Sequence, residues 1–110
     1  MGTPEFSVPI LKSINESNHE LLAVYTQPAK KQSRGQKLTK SPVHQFADKL
    51  KIPVRCPEEL DSEYEVNLIK DMQPDIIIVV AYGKILPEKL LVLSKIDFLN
   101  IHASLLPKWR

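Results

Sequence analysis

Apolar positions along this chain alternate between helical and extended spacing. In PEFSVPILKSINES, Phe6, Ile10, Leu11 and Ile14 share one helical face. Pro4 suits a first helical turn there, and Pro9 predicts an irregular or kinked start. ELLAVYTQ, Glu20 to Gln27, predicts a strand, and Pro28 to Lys40 a loop. SPVHQFADKLK predicts a helix with Ser41 as N-cap and Pro42 at the first helical position, burying Val43, Phe46, Ala47 and Leu50. IPVRC predicts a short strand. DSEYEVNLIKDMQ predicts a helix whose early acids suit its dipole and which Pro74 ends. DIIIVVAY is nearly continuous apolar sequence, the mark of a strand covered on both faces in a parallel sheet, and Gly83 breaks the run. PEKLLVLSK predicts a short helix and FLNIHAS a last strand.

The alternation predicts an α/β fold with a doubly wound, mostly parallel sheet. It begins with a helix, although the first strand of such a sheet usually sits at its centre. MGTPEF reads as a strand-to-helix turn with no strand before it. The expectation is therefore an incomplete Rossmann-like sheet that lacks its first strand and leaves edges unpaired. Sites in open α/β sheets form beyond the carboxyl ends of strands. GTP at Gly2 to Pro4, TQP at Thr26 to Pro28, VVAYGKILP at Val79 to Pro87 and NIHASLLP at Asn100 to Pro107 would reach that edge. Asn100 and His102 are two apart, which puts both on one face of a strand. An amide donor beside an imidazole can stabilise an oxyanion and handle a proton, as acyl or formyl transfer demands. Taken alone, the pair is weak evidence, and a strand end with two satisfied polar side chains is the better reading of it.

Length and composition narrow the classes further. At 110 residues the chain is one small domain with a modest core, and its 43% hydrophobic and 25% charged content is ordinary for a soluble protein. No apolar run approaches the roughly 18 residues of a membrane span. The N-terminus lacks the features of a signal peptide, so a cytoplasmic location is expected. A single cysteine, Cys56, excludes an internal disulfide and a cysteine-rich metal site. With no histidine near it in sequence, Cys56 reads as a packed bystander, as do His19 and His44 near helix surfaces. There is no dinucleotide fingerprint, no Walker loop and no metal-ligand spacing, so no metal is expected. Trp109 suits either packing or stacking on a ligand.

The net charge of +2 hides an uneven distribution. PAKKQSRGQKLTK carries Lys30, Lys31, Arg34, Lys37 and Lys40, five of the 15 basic residues, and no acid. The remaining 10 face 13 acids, so the positive charge is local. Such a loop either neutralises phosphates of a nucleic acid or is simply solvated.

In their order and spacing, GTPEFSVPIL, VYTQPAKKQSRGQKLTKSPV, VVAYGKILP and NIHASLLPKWR resemble the methionyl-tRNA formyltransferase family. NIHASLLPKWR together with RGQKLTKSPV is the most specific part. The resemblance runs nearly the whole chain. It implies that residues 1–110 are part of that family's N-terminal catalytic domain, without its C-terminal tRNA-binding domain. The implied reaction moves a formyl group from 10-formyltetrahydrofolate to the amino group of methionyl-initiator tRNA. By position, Asn100 and His102 would be catalytic, with Asn100 donating to the oxyanion and His102 assisting and moving protons. Ser104, Leu105, Leu106 and Pro107 match the folate-binding stretch, and Tyr82 and Gly83 would line the same pocket. Arg34, with Lys31, Lys37 and Lys40, would face the acceptor end of the tRNA. The resemblance further implies a cytoplasmic monomer with no metal and no membrane partner.

Two departures bear on activity. The family's strand before GTP is missing, and its third catalytic residue, an Asp that polarises the imidazole, falls beyond Arg110. Loss of such a partner costs orders of magnitude in rate, so poor activity is expected of these residues alone. Two other readings remain. One is a folate-dependent formyltransferase acting on a small amine, which would not need the basic loop. The other is an inactive truncated remnant that binds tRNA weakly.

Overall fold

A computed structural model describes residues 1–32, 37–93 and 96–101. A 3-10 turn at Glu5–Ser7 leads into α1, Val8–Asn15, with Pro9 in the first helical turn. This is the irregular start expected of Pro9, placed where its missing N–H costs no helical bond.

Val24–Tyr25 (β1) and Val54–Arg55 (β4) pair in parallel, as do Ile76–Val79 (β5) and Asp97–Asn100 (β6). Pro42–Lys49 (α2), Glu63–Met72 (α3) and Glu88–Leu91 (α4) fill the intervening positions. Val24 and Tyr25 point to opposite faces of β1. Val24 packs with Leu11, Val43 and Ala47 of α1 and α2, whereas Tyr25 packs with Leu60, Ile69, Ile77, Val79, Tyr82 and Leu90. The strand is thus covered by apolar side chains on both faces, as in a doubly wound α/β fold.

One feature differs from expectation, and a second matches the unpaired edges expected of the sheet. The segment from Pro28 to Lys40, expected as a loop, contains an antiparallel hairpin of Lys30–Gln32 (β2) and Lys37–Thr39 (β3). Its pairing is local, and its largely polar residues carry none of the apolar alternation by which a strand is recognised. The parallel strands also form separate pairs rather than one continuous sheet. Among the described residues, the backbone ladder between β1 and β5 is carried by Met1 and Gly2 alone. The Gly2 N–H donates to the Tyr25 carbonyl at 2.9 Å, and the Val80 N–H donates to the Met1 carbonyl at 2.8 Å. With no partner along the rest of that edge, the strand expected over Glu20 to Gln27 is confined to its two residues against β4.

Side-chain caps fix the starts of α2 and α3. Ser62 Oγ accepts from the Glu65 N–H at 3.1 Å, and Ser41 Oγ accepts from the His44 N–H at 3.0 Å. The Ser41 hydroxyl also lies 2.6 Å from that of Thr26, which is fully buried just past β1. Ser41 therefore joins the end of β1 to the start of α2. Ser41→Ala is expected to cost about 2 kcal/mol, since it removes a cap and leaves the Thr26 hydroxyl short of a partner. Urea unfolding measures this, and a change below about 0.5 kcal/mol, typical of surface substitutions, would remove Ser41 from that role.

Glu65 is buried on α3, and its carboxylate accepts from Arg55 Nε at 3.0 Å and Nη2 at 2.7 Å. This bidentate pair ties β4 to α3. Among the described residues, no helix is long and apolar enough to cross a membrane.

Candidate functional site

The chain turns sharply where β5 ends. Ala81 has φ 49° and Gly83 has φ 87°, two left-handed residues within three positions. The left-handed region is costly for most side chains, so Gly83 suits its place. Close packing adds a second reason, because a Cβ on Gly83 would sit 1.9 Å from Gln27 Nε2.

That turn is held by segments distant in sequence. The Tyr82 carbonyl accepts from Thr3 Oγ1 at 2.8 Å and from Gln27 Nε2 at 3.0 Å. Ser7 Oγ donates to the Val80 carbonyl at 2.8 Å. GTP, TQP and VVAYG thus meet at the carboxyl edge of the strands, where the topology expects a site. Asn100 ends β6 opposite Val79, which brings the fourth segment to the same edge.

A cleft of about 380 Å³ opens there, bordered by Phe6, Ala81, Tyr82, Gly83, Lys84, Asn100 and Ile101. Its size is within the range of small-ligand sites. Asn100 and Gly83 are exposed. Tyr82 is 1% exposed and packs in the core, and burial pushes its phenol up to about 12. Its hydroxyl has no hydrogen-bond partner among the described residues. Tyr82 therefore positions the turn through its backbone carbonyl and stays un-ionised at neutral pH. Lys84, which borders the cleft, donates to the Glu58 carbonyl at 2.6 Å.

Not every sequence-predicted site residue can be placed. Asn100, Tyr82 and Gly83 meet at the cleft. His102, Ser104, Leu105, Leu106, Pro107 and Arg34 lie outside the described residues. Lys31 and Lys37 are exposed on the hairpin, paired in register with Leu38 and Gln32. Lys40 contacts Asp48 Oδ2 at 2.8 Å, and that hydrogen bond holds the Asp48 carboxyl below its ordinary value.

One cluster was not legible in the sequence. Cys56 Sγ lies 3.5 Å from His44 Nδ1, and His44 Nε2 lies 3.7 Å from Asp48 Oδ1. Twelve residues separate Cys56 from His44, and they meet because β4 delivers Cys56 beside α2. Burial pushes the Cys56 thiol up, and the charge of Asp48 adds to this. The thiol is therefore held in its protonated, weakly nucleophilic form at neutral pH. Among the described residues, no group of three or more His, Cys, Asp or Glu side chains is placed to hold a metal ion.

Comparison with known proteins adds to this geometry. Residues 1–110 match the family described as formyl transferase. The methionyl-tRNA formyltransferase of Pelagibacter ubique (strain HTCC1062) is 53% identical over 111 residues, covering 100% of this chain and 36% of that protein. That of Prochlorococcus marinus (strain MIT 9515) is 52% identical over 110 residues, covering 99% of this chain and 34% of that protein. That of Rickettsia bellii (strain RML369-C) is 50% identical over 110 residues, covering 100% and 36%. The chain spans about a third of the length of these curated relatives.

Proposed function

Because this chain belongs to the formyl transferase family, we propose that it forms part of an enzyme that formylates the amino group of methionyl-initiator tRNA, with 10-formyltetrahydrofolate as donor. The observation that carries this reading is the shared cleft. Asn100 is exposed at the end of β6 beside the Gly83 turn, at the carboxyl edge. The volume of the cleft suits a small donor group, and its walls offer one amide side chain and a backbone turn.

Chemistry follows from those groups. The substrate amine adds to the formyl carbon, and negative charge gathers on the formyl oxygen. Asn100 Nδ2–H donates to that oxygen, which lowers the barrier by stabilising charge that develops only in the transition state. His102 takes the proton from the attacking nitrogen and supplies one to the departing folate nitrogen. The carbon–nitrogen bond to folate breaks as the new amide forms. Tyr82 and Gly83 border the donor, with Ser104, Leu105, Leu106 and Pro107 completing its site. No metal takes part in this scheme, and the full protein acts as a cytoplasmic monomer.

The hairpin favours a tRNA acceptor over a small amine. Lys31 and Lys37 are exposed there, and a small acceptor would leave such charge without use. Arg34, between them in sequence, would join them in contacting phosphate, and Lys40 would do so on leaving its contact with Asp48. Arg34→Ala is expected to weaken methionyl-tRNA binding and reduce the salt slope of log K by up to about 0.9 if one phosphate contact is lost. Formylation of a small amine by the same variant should change much less. Equal losses on both acceptors would overturn the tRNA role of the hairpin.

A further inference from the structure

Cys56, His44 and Asp48 meet where β4 lies against α2, and formyl transfer uses none of them. Each of the first two is set by anchored backbone. The His44 N–H donates to the Ser41 cap at 3.0 Å, in the first turn of α2. Cys56 follows β4 directly, and the Thr26 N–H donates to the carbonyl of the preceding Arg55 at 3.1 Å. The Arg55 side chain is in turn fixed by two hydrogen bonds to Glu65. Cys56 and His44 are half-buried and Asp48 is exposed, so the cluster lies at the surface rather than sealed in the core.

The spacing of the pair has a chemical meaning. A tetrahedral ion with bonds of about 2.3 Å to sulfur and about 2.0–2.1 Å to nitrogen holds those two ligands about 3.6 Å apart. Cys56 Sγ and His44 Nδ1 are 3.5 Å apart. On the far side of the imidazole, Asp48 Oδ1 lies 3.7 Å from Nε2. A carboxylate behind a histidine, on the nitrogen that does not ligate, is the arrangement that orients a metal-binding imidazole and raises its basicity.

We propose that Cys56 and His44 chelate a borderline-soft divalent cation of the Zn²⁺ type, with Asp48 behind the imidazole. The protein supplies two ligands, Sγ and Nδ1, and water fills the other positions. The thiol proton passes to solvent as the sulfur–metal bond forms. The imidazole keeps its own proton on Nε2, toward Asp48. Burial and the charge of Asp48 favour the protonated thiol, and Lys40 and Arg55 are the cations that act on it in the opposite sense. The ion therefore competes with a proton, which makes this an exchangeable site rather than a permanent structural one. It stands at the root of the basic hairpin, because Lys40, which follows β3, holds the other oxygen of Asp48.

Titration of the protein that carries this segment with Cd²⁺, read as ultraviolet sulfur-to-metal charge transfer, tests this. The parent spectrum minus that of Cys56→Ser isolates this thiol from any other. A saturable band that Zn²⁺ displaces is expected. His44→Ala and Asp48→Asn should each weaken Cd²⁺ binding by about 10-fold or more. Asp48→Asn keeps the size of an exposed side chain, so its loss of affinity does not come from a failure to fold. Lys40→Met removes the other partner of Asp48 and should leave the affinity in place. No difference band, or an affinity unchanged in either His44→Ala or Asp48→Asn, overturns the proposal and leaves the pair as a thiol–imidazole hydrogen bond only. A loss in Lys40→Met equal to that in Asp48→Asn also overturns it, since the ion pair rather than the imidazole would then govern binding.

Discussion

Asn100→Ala is expected to lower kcat for formyl transfer by about 10²–10³-fold, measured in the protein that carries this segment. Asn100 is exposed at the end of β6 and borders the cleft, so the substitution need not disturb the core. On the proposed mechanism, it removes a donor aimed at charge that exists only in the transition state. Donor affinity should therefore change little while turnover collapses, because binding and catalysis draw on different interactions. Steady-state kinetics separates the two. A fall of less than about 10-fold, or a loss confined to KM, would take Asn100 out of the catalytic role.

Gly83 carries the second large effect. Gly83→Ala should destabilise the protein by about 1–3 kcal/mol, because residue 83 is held at φ 87°, where L side chains are strained. The added Cβ also meets Gln27 Nε2, the group that donates to the Tyr82 carbonyl. Moving Gln27 away releases that carbonyl and loosens the turn beneath the cleft, so donor affinity should fall with stability. A Gly83→Ala, Gln27→Ala double variant separates the causes. It removes the clash and keeps the backbone strain, so it should recover part of any loss beyond the strain. A single variant as stable as the parent would mean that the turn relaxes freely and is no constraint on the cleft.

Much of this architecture could be read from sequence because its causes are local. Ser41 and Pro42 mark the start of α2 through a cap and a fixed φ, each requiring only neighbouring residues. Pro9 announces an irregular helix start for the same reason. The run Ile76 to Val80 reads as a strand because continuous apolar sequence has few other uses at that length, but the expected cover on both faces is incomplete, with Ile76 exposed and Ile78 half-buried beside the buried Ile77 and Val79. The hairpin around Lys31 and Lys37 was not legible, since a polar two-stranded ladder leaves no hydrophobic signature. Nor was the contact of Cys56 with His44, which depends on how β4 lies against α2. For the site, the sequence brought Gly2, Gln27, Gly83 and Asn100 to one edge by topology alone. It could not supply the convergence of Thr3 and Gln27 on the Tyr82 carbonyl, a matter of tertiary packing.

The proposed function requires the formyl donor to bind at the carboxyl-edge cleft. Backbone amide spectra of the 110-residue chain, recorded during titration with 10-formyltetrahydrofolate, test it without requiring turnover. Saturable shifts are expected at Gly83, Lys84, Asn100 and Ile101, which border the cleft, with Ala23 and Ile78, which line a separate cavity between β1 and β5, little changed. Shifts confined to Ala23, Ile78 and their neighbours, with Gly83 and Asn100 unmoved, would contradict the account.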